Sequence, residues 1–318
     1  MPNFFSLIVL KINLVSLGAF LSMKKILGGI SLCWFSLTFY MVVTLVLVLL
    51  VKPDGFFLMP ILEGRFYFFA VFLGALFFDN QLKNYPKIKM LVSWLLAYAF
   101  LGMVYKETAQ LNLMFFDKID SWLVEIDHLL FGFQPSLEFS KVFDYPWFSE
   151  LMFLGYFFYY LMPLIVMGML FKYKPNLLEF FGSLLITAFV IYYTIFIFVP
   201  AEGPQFYFPY PSNTVEAYGL FGMAVKQIQL MGEAPTAAFP SSHVGVSVVV
   251  LIWLFKHYRK LFFLILPFTF ILVFSTVYIK AHYAVDVLAG GVTGVLVYLL
   301  SSSITLFFIK KRKQWKSL

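Results

Sequence analysis

The chain has little of two things that most proteins use in quantity. It contains one cysteine, Cys33, so an intrachain disulfide and a cysteine-rich metal site are excluded. Charged side chains make up only 12% of its 318 residues, about half of the roughly 25% found in soluble domains. This scarcity excludes an ordinary soluble enzyme and a disordered chain. No dense carboxylate cluster is present in the sequence, so we expect neither a metal nor a cofactor.

Apolar residues, by contrast, are abundant. Hydrophobic residues are 62% of the sequence and aromatic residues 21%, and the mean hydropathy is +0.88. A membrane-spanning helix needs about 20 mostly apolar residues, and its backbone groups must be paired within the segment. The composition therefore predicts an all-α, polytopic integral membrane protein that forms a single domain over residues 1–318.

We predict about eight transmembrane helices from the apolar runs. Two of the runs are short and reach a spanning length only if their charged flanks lie in the membrane interface. The short runs are 66–78 and 90–105, and the long ones are 27–51, 151–171, 180–199, 237–255, 261–279 and 287–309. Residues 1–26 form an N-terminal extension of uncertain role. Within it, residues 4–21 are either an interfacial or extra helix, or a stretch upstream of a start at Met23.

Basic residues predict the orientation of these helices. When the helices alternate and the C-terminus is cytoplasmic, most Lys and Arg residues fall on the cytoplasmic side, whereas most acidic residues fall on the other. The basic clusters lie at 24–25, 83–89, 172–174, 256–260 and 310–316. The net charge of +7 thus has a membrane explanation, and we expect no nucleic-acid partner. We expect a multi-pass protein of a bacterial inner membrane.

Two segments on the outer side are too long to be simple turns. The loop 200–238 is rich in Pro, Gly and Tyr, and long loops are usually functional or disordered. In residues 107–150, apolar residues recur at helical spacing with acidic residues between them, which predicts an amphipathic helix in the outer interface. The apolar positions are Trp122, Leu123, Ile126, Leu129 and Leu130, and the acidic ones are Asp120, Glu125 and Asp127.

Two of the four histidines lie where a spanning helix begins, whereas His128 and His257 are predicted to be solvated surface residues. His282 and Asp286 are spaced i, i+4 and share a helical face. The aspartate can orient one imidazole nitrogen and leave the other as nucleophile or base. A buried polar pair that joins two helices would explain the same spacing.

His243 follows Ser241 and Ser242 at the start of another helix. Ser241 is a natural N-cap, and the free N–H groups of a first helical turn attract phosphate. A histidine in that turn can donate a proton to a leaving oxygen; a capping motif with an incidental histidine is the alternative. The predicted topology places this segment on the same side of the membrane as residues 200–205 and 280–286.

Two of these segments resemble motifs of the type 2 phosphatidic acid phosphatase superfamily, P-S-G-H and S-R-x5-H-x3-D. Pro240-Ser-Ser-His243 matches the first, with Ser242 in place of glycine. Ser275 to Asp286 keeps the spacing of the second, with Thr276 in place of arginine. The K-x6-R-P motif is absent, and Pro200-Ala-Glu-Gly-Pro-Gln205 occupies its position. These departures are similar to the inositol phosphorylceramide synthase-like branch, and the resemblance covers about residues 117–300.

The resemblance implies a six-helix phosphatase-like core and a phosphohistidine mechanism without a metal. His282 would be the nucleophile, Asp286 would orient it, and His243 would protonate the leaving alkoxide. Ser241 and Ser242 would hold the phosphoryl oxygens. Lys280 and Gln205 would contact the phosphate in place of the missing arginines, although an interfacial anchor is the alternative role for Lys280.

Two classes of function remain open from the sequence. The first is a lipid phosphatase or phosphotransferase that acts on a lipid-linked phosphate at the outer leaflet, with water or a hydroxyl as acceptor. The second is a non-catalytic phospholipid-binding or transport protein on the same fold. In either case the partners are a membrane phospholipid or lipid-linked phosphate and the bilayer, and the oligomeric state is open.

Overall fold

The computed structural model describes residues 31–51 and 58–316. Within these ranges the chain forms helices and no strand. The helices are α1 (Cys33–Val51), α2 (Met59–Gln81), α3 (Pro86–Leu111), α4 (Asp120–Phe131), α5 (Pro135–Val142), α6 (Pro146–Tyr173), α7 (Leu178–Phe198), α8 (Pro204–Tyr207), α9 (Leu220–Gly232), α10 (Ser242–His257), α11 (Arg259–Tyr278) and α12 (Ala284–Lys316). The predictions for residues 4–21 and for a start at Met23 lie outside the described residues.

Eight of these helices correspond to the predicted membrane segments. Among the described residues, seven helices are long and apolar enough to cross a membrane: α1, α2, α3, α6, α7, α11 and α12. The eighth, α10, has 16 residues and begins at Ser242 rather than at 237. Residues 237–241 instead form the loop that leads into His243. The prediction of an all-α, polytopic membrane protein is confirmed.

The helices predicted from the two short apolar runs extend beyond those runs, because the charges near their ends are paired. Arg65 of α2 forms an ion pair with Glu107 of α3 and donates a hydrogen bond to Thr44 Oγ1 of α1 at 2.6 Å. At the other end of the same two helices, Lys89 Nζ lies 3.4 Å from Asp79 Oδ2. Paired charges are easier to accommodate near lipid than isolated ones.

Helix α7 lies at the centre of the molecule. α1, α3, α10 and α12 all pack against it, and most of its side chains are buried. This position explains why its sequence is apolar on every side. α6 packs against α11, and α11 against α10. Six helices, α3, α6, α7, α10, α11 and α12, thus form a bundle, with α1 and α2 packed against it.

The contact between α10 and α12 depends on glycine. A Cβ atom at Gly290 would lie 2.6 Å from the Ser241 carbonyl oxygen, and one at Gly294 would lie 2.7 Å from the Gly245 carbonyl oxygen. Any side chain at these positions would force the helices apart, whereas small residues let their backbones approach closely. The glycines therefore hold the start of α12 against the N-terminus of α10, which carries His243.

Helix α4 confirms the predicted amphipathic helix, and two of its three acidic residues face inward. Asp120, Leu123 and Asp127 are buried, whereas Trp122 and Leu129 are 69% and 78% exposed. An outward apolar side is typical of a helix at a membrane surface. The two buried aspartates point into the protein.

At the opposite end of the bundle, basic side chains join helix ends. The Lys174 ammonium donates to the His257 carbonyl at 2.8 Å, and Arg312 of α12 forms a two-pronged ion pair with Glu179 of α7. His128 is exposed, as predicted. His257 is only partly exposed, and its ring centroid lies 4.8 Å from that of Trp253.

Candidate active site

Three loops meet at one end of the bundle and are joined by backbone hydrogen bonds. The first loop covers residues 199–205, the second residues 237–241 and the third residues 279–283. The Ala238 N–H donates to the Ala201 carbonyl at 3.1 Å, and the Gln205 N–H donates to the Lys280 carbonyl at 2.9 Å. The Ser241 N–H donates to the carbonyl of Asp286, in the first turn of α12, at 3.0 Å. The structure therefore brings together the three polar segments that the predicted topology placed on one side.

Gly203 lets the first of these loops approach the third. Its φ angle is +89°, in a region that residues with a Cβ rarely adopt. A Cβ at this position would also lie 2.9 Å from the carbonyl oxygen of Ala281. Both its conformation and its surroundings therefore require glycine beside the residue that precedes His282.

Two histidine rings face each other within this framework. Nδ1 of His243 lies 3.1 Å from Nε2 of His282. Nδ1 of His282 lies 2.8 Å from the carbonyl oxygen of Ala238. Because a carbonyl oxygen can only accept, Nδ1 of His282 carries a proton and donates it. In the neutral ring the lone pair is therefore on Nε2, where it accepts a hydrogen bond from Nδ1–H of His243.

Asp286 lies on the Nδ1 side of His282. Its Oδ2 atom is 3.5 Å from that nitrogen and accepts a hydrogen bond from the Tyr283 N–H at 2.8 Å. The carboxylate thus favours the tautomer that leaves Nε2 free, and it can stabilise positive charge on the ring. Burial lowers the pKa of His282 to about 4, so the ring is neutral at neutral pH and its lone pair is available.

Asp127 of α4 holds the start of α12. Its carboxylate accepts hydrogen bonds from the N–H groups of Ala284 and Val285, at 2.9 and 2.8 Å. It also accepts one from the side-chain amide of Gln134 at 3.1 Å. A carboxylate in this position caps the helix and interacts favourably with its positive end.

Asp120, the first residue of α4, joins the first and third loops. It accepts a hydrogen bond from the Tyr283 hydroxyl at 2.9 Å and others from the N–H groups of Glu202 and Gly203. Both buried aspartates of α4 therefore support the segment that carries His282. From the sequence they were assigned only to the polar side of a surface helix.

The two serines of the second motif have different surroundings. Ser241 caps α10 as predicted, because its Oγ accepts a hydrogen bond from the Val244 N–H at 3.3 Å. It is fully buried, and its own N–H is already bonded to α12. Ser242 lines the cavity with His243, and the N–H groups of a first helical turn have no helix carbonyl to bind. Of the two, Ser242 is the one that lines the cavity.

Lys280 does not line the cavity, contrary to its predicted role as a phosphate ligand. Its ammonium donates to the Ser136 carbonyl at 2.8 Å and to the Ser140 hydroxyl at 2.9 Å, both in α5. The residue is 2% exposed. Burial, assisted by the charge of Lys141, lowers its pKa to about 8. Lys280 therefore ties α5 to the loop that precedes His282.

Gln205 lines the cavity, but its side-chain amide is already bonded. Its Nε2 donates to Oε2 of Glu233, and its Oε1 accepts from Nε2 of Gln229 at 3.0 Å. Oε1 of Glu233 accepts a hydrogen bond from the Tyr156 hydroxyl at 2.7 Å. In this conformation the amide is directed at a carboxylate rather than at a phosphate position.

A cavity of about 540 Å³ lies in front of the histidine pair, a size suited to a small-molecule group. Six tyrosines, here called the tyrosine wall, line it: Tyr98, Tyr105, Tyr156, Tyr159, Tyr160 and Tyr193. The rings of Tyr156 and Tyr159 flank His243, with centroid distances of 4.7 and 4.3 Å. Among the described residues, no group of three or more His, Cys, Asp or Glu side chains is arranged to hold a metal ion.

The family of the chain follows from a comparison with family models. The model described as PAP2 superfamily matches residues 121–300, more than half of the chain, and includes both histidine motifs. The chain belongs to the PAP2 superfamily. Neither a curated protein nor a solved structure matches it. The match confirms the superfamily inferred from the motifs and supports a fold of the lipid phosphatase type.

Two features of this PAP2 site were missed from the sequence. Tyr156, Tyr159 and Tyr160 are spaced i, i+3, i+4, which places them on one face of α6, so a search for aromatic faces would have found them. Glu233 follows α9 in a loop and has no comparable pattern around it. Only the folded chain shows that it reaches Gln205 and Tyr156.

Proposed function

We propose that this PAP2 protein is a membrane enzyme that cleaves or transfers a lipid-linked phosphate group at the outer leaflet, through a phosphohistidine on His282. The observation that carries the proposal is the 3.1 Å contact between Nδ1 of His243 and Nε2 of His282. It pairs an oriented, neutral imidazole with a second imidazole that bears a transferable proton. A protein that only binds lipid would not require this pair.

The reaction has two half-reactions. In the first, Nε2 of His282 attacks phosphorus, the N–P bond forms, the P–O bond to the leaving alcohol breaks, and the leaving oxygen takes the Nδ1 proton of His243, which acts as an imidazolium and becomes a neutral imidazole. In the second, an acceptor oxygen attacks phosphorus, its proton passes to His243, and the N–P bond breaks. Water as acceptor makes the protein a phosphatase. A lipid or sugar hydroxyl makes it a phosphotransferase, as in inositol phosphorylceramide synthase-like proteins.

Substrate binding requires the two histidine rings to separate. Reacting atoms stand about 3–3.5 Å apart before a bond forms, and in this structure the His243 nitrogen occupies that space next to His282. Nε2 of His243 has no hydrogen-bond partner among the described residues. The ring of His243 therefore makes its hydrogen bond to His282 through Nδ1. When substrate binds, a phosphate oxygen would replace His282 as the acceptor of this hydrogen bond.

The outer wall of the cavity suits a lipid substrate. It is formed by α3 and α9, where Met103 and Met231 are 42% and 66% exposed. Leu230 of α9 is 79% exposed. Exposed apolar side chains at the mouth of a mostly apolar cavity provide a path for acyl chains. We expect the headgroup to lie at the histidines and the chains to pass between α3 and α9.

A phosphoenzyme assay tests the proposal. The purified full-length protein is mixed with a ³²P-labelled phospholipid extract, quenched in alkali, and analysed for protein-bound label and for released products. We expect His282→Ala to abolish both, and His243→Ala to slow turnover by about 10²–10⁴-fold. His128→Ala, at an exposed site, is the control and should behave as the wild type.

Wild-type turnover by His282→Ala would overturn the proposal. Lipid binding by the wild type without label or product would support the alternative, a non-catalytic lipid-binding or transport protein on the same fold.

The proposed orientation places the site on the periplasmic or lumenal side and the C-terminus in the cytoplasm. Its support is the basic end of the bundle, with Lys174 and Arg312, opposite the site. The sole cysteine, Cys33, is buried, so a Cys33→Ala background permits single-cysteine labelling. With a membrane-impermeant maleimide, Tyr210→Cys should be labelled in intact cells, and Lys313→Cys only after permeabilisation. The reverse pattern would contradict this orientation.

A further inference from the structure

The cavity wall beside His243 is aromatic on a scale that phosphate binding does not require. The tyrosine wall continues from ring to ring, with centroid distances of 6.0 Å between Tyr156 and Tyr160 and 5.4 Å between Tyr159 and Tyr160. The ring centroids of Tyr105 and Tyr193, in the same wall, lie 6.1 Å from each other. The faces of such rings are electron-rich and attract cations, including quaternary ammonium groups.

A carboxylate stands at the same wall. Glu233 accepts hydrogen bonds from the Tyr156 hydroxyl and the Gln205 amide, which are both uncharged. Among the described residues it forms no ion pair within 4 Å. The other carboxylate that lines the cavity, Glu202, is paired with Lys118. The negative charge of Glu233 thus has no cation in direct contact, and Lys226 of α9 interacts with it only from beyond ion-pair distance.

Positive side chains are scarce around the cavity. Of the described residues that line it, Lys106 is the one Lys or Arg, and it is exposed. Lys280, the other candidate, is bonded to α5. A phosphate monoester would bring close to two negative charges into a cavity that already holds Glu233, which is electrostatically unfavourable.

We infer that the lipid donor is a phosphodiester whose headgroup carries an ammonium, of the choline or ethanolamine type. The ammonium lies against the tyrosine wall next to Glu233, and the phosphate lies at His243 and His282. The ammonium of such a zwitterionic headgroup compensates the negative charge of the phosphate. Arginines in place of Thr276 and Gln205 would otherwise have this role. An inositol headgroup is uncharged and would leave Glu233 unbalanced. The inference rests on the proposed function and names its substrate class.

The step balances without another reactant. The bond from Nε2 of His282 to phosphorus forms, the P–O bond to diacylglycerol breaks, and the diacylglycerol oxygen takes the Nδ1 proton of His243. The phosphoryl-alcohol group remains on His282 until water or a hydroxyl attacks phosphorus and returns a proton to His243. The ammonium is unchanged throughout, so the tyrosine wall recognises it in both half-reactions.

A panel of lipids that differ only in the headgroup tests this inference on the wild-type, full-length protein. Dioctanoyl phosphatidylcholine, phosphatidylethanolamine, phosphatidylinositol and phosphatidic acid are supplied separately in detergent micelles, and diacylglycerol release is measured. We expect kcat/KM for the better ammonium lipid to exceed those for the inositol lipid and for phosphatidic acid by about tenfold or more. Equal or faster cleavage of either anionic lipid, dependent on His282, would overturn the inference but leave the proposed function standing. Release from none of the four by a protein that is still labelled by the ³²P phospholipid extract would also overturn the inference and leave the proposed function standing, whereas the absence of both release and label would contradict both.

Matched variants locate the selectivity. Glu233→Gln keeps the hydrogen-bonding shape but removes the charge, and should reduce the preference for ammonium lipids by about tenfold. Glu125→Gln, on the exposed side of α4, is the control and should not change it. Tyr160→Phe keeps the ring face and should retain the preference, whereas Tyr160→Leu should lose it. An unchanged preference in both Glu233→Gln and Tyr160→Leu would overturn the inference.

Discussion

The carboxylate of Asp127 accepts a 2.8 Å hydrogen bond from the backbone N–H of Val285, 158 positions further along the chain. Asp127 thus caps α12 although it belongs to α4. The first turn of α12 also carries Asp286, which lies behind His282. The alignment of the proposed nucleophile therefore depends on a helix that does not contribute a residue to the cavity.

Asp127→Asn tests this dependence. An asparagine offers one acceptor oxygen where the aspartate receives three N–H groups, so we expect a loss of about 1–2 kcal/mol in the free energy of unfolding. The turnover number should fall with little change in KM, because Asp127 does not touch substrate. Thermal unfolding in detergent and steady-state kinetics measure the two effects. Glu125→Gln is the control on the same helix. An Asp127→Asn protein whose Tm and kcat equal those of this control would disprove the capping role.

Gly290→Ala and Gly291→Ala form a matched pair on α12. The new Cβ at position 290 would lie 2.6 Å from the Ser241 carbonyl oxygen. A Cβ at position 291 would have no neighbouring atom of another segment within 4 Å among the described residues. Overpacking of this kind costs about 1–3 kcal/mol. We expect Gly290→Ala to lower both Tm and activity and Gly291→Ala to leave them close to wild type. Similar behaviour of the two variants would rule out a close contact between α10 and α12.

Lys280→Met should impair stability rather than phosphate binding. The variant loses the hydrogen bonds to the Ser136 carbonyl and the Ser140 hydroxyl, and a buried polar group left unpaired costs about 1–3 kcal/mol. We expect a lower Tm and an unchanged KM. Ser140→Ala should have a smaller effect in the same direction. A large rise in KM at an unchanged Tm would instead return Lys280 to the role of phosphate ligand.

Acid should weaken the fold through His282. Burial lowers its pKa from 6.5 to about 4, so between these values the unfolded chain binds a proton that the folded chain does not. The free energy of unfolding therefore falls as the pH falls from about 6.5 towards 4. Above this window the contribution is constant. The Tm of the wild type should drop more between pH 7.5 and 5 than that of His282→Gln, which cannot titrate at this position; parallel curves would contradict the assignment.

The membrane helices were predictable because lipid imposes a simple criterion of length and polarity. The errors lie at the ends of the segments. α10 begins at Ser242 because Ser241 caps it, and α2 and α3 extend through charges that the Arg65–Glu107 pair accommodates. An apolar run does not reveal either effect.

The meeting of His243 with His282 was predictable for a similar reason, since both stand at helix ends on the same predicted side. The directions of Lys280 and Asp127 were not. Lys280 bonds to Ser136, 144 positions away, and the inward side of α4 is set by backbone donors of α12. Contacts between distant segments leave no periodic pattern in the sequence, so helical spacing predicted an amphipathic α4 but not which of its sides faces the protein.

Helix α4 has a second consequence for the protein. Its inner side carries Asp120 and Asp127, and its outer side presents Trp122 and Leu129, which are the kind of side chain that fixes the depth of a helix among lipid headgroups. Any shift of α4 along the membrane normal moves both carboxylates relative to the loop that carries His282. We therefore expect the bilayer surface to be part of the frame that aligns this histidine, so that a change of lipid thickness or packing would act on the site without touching the cavity.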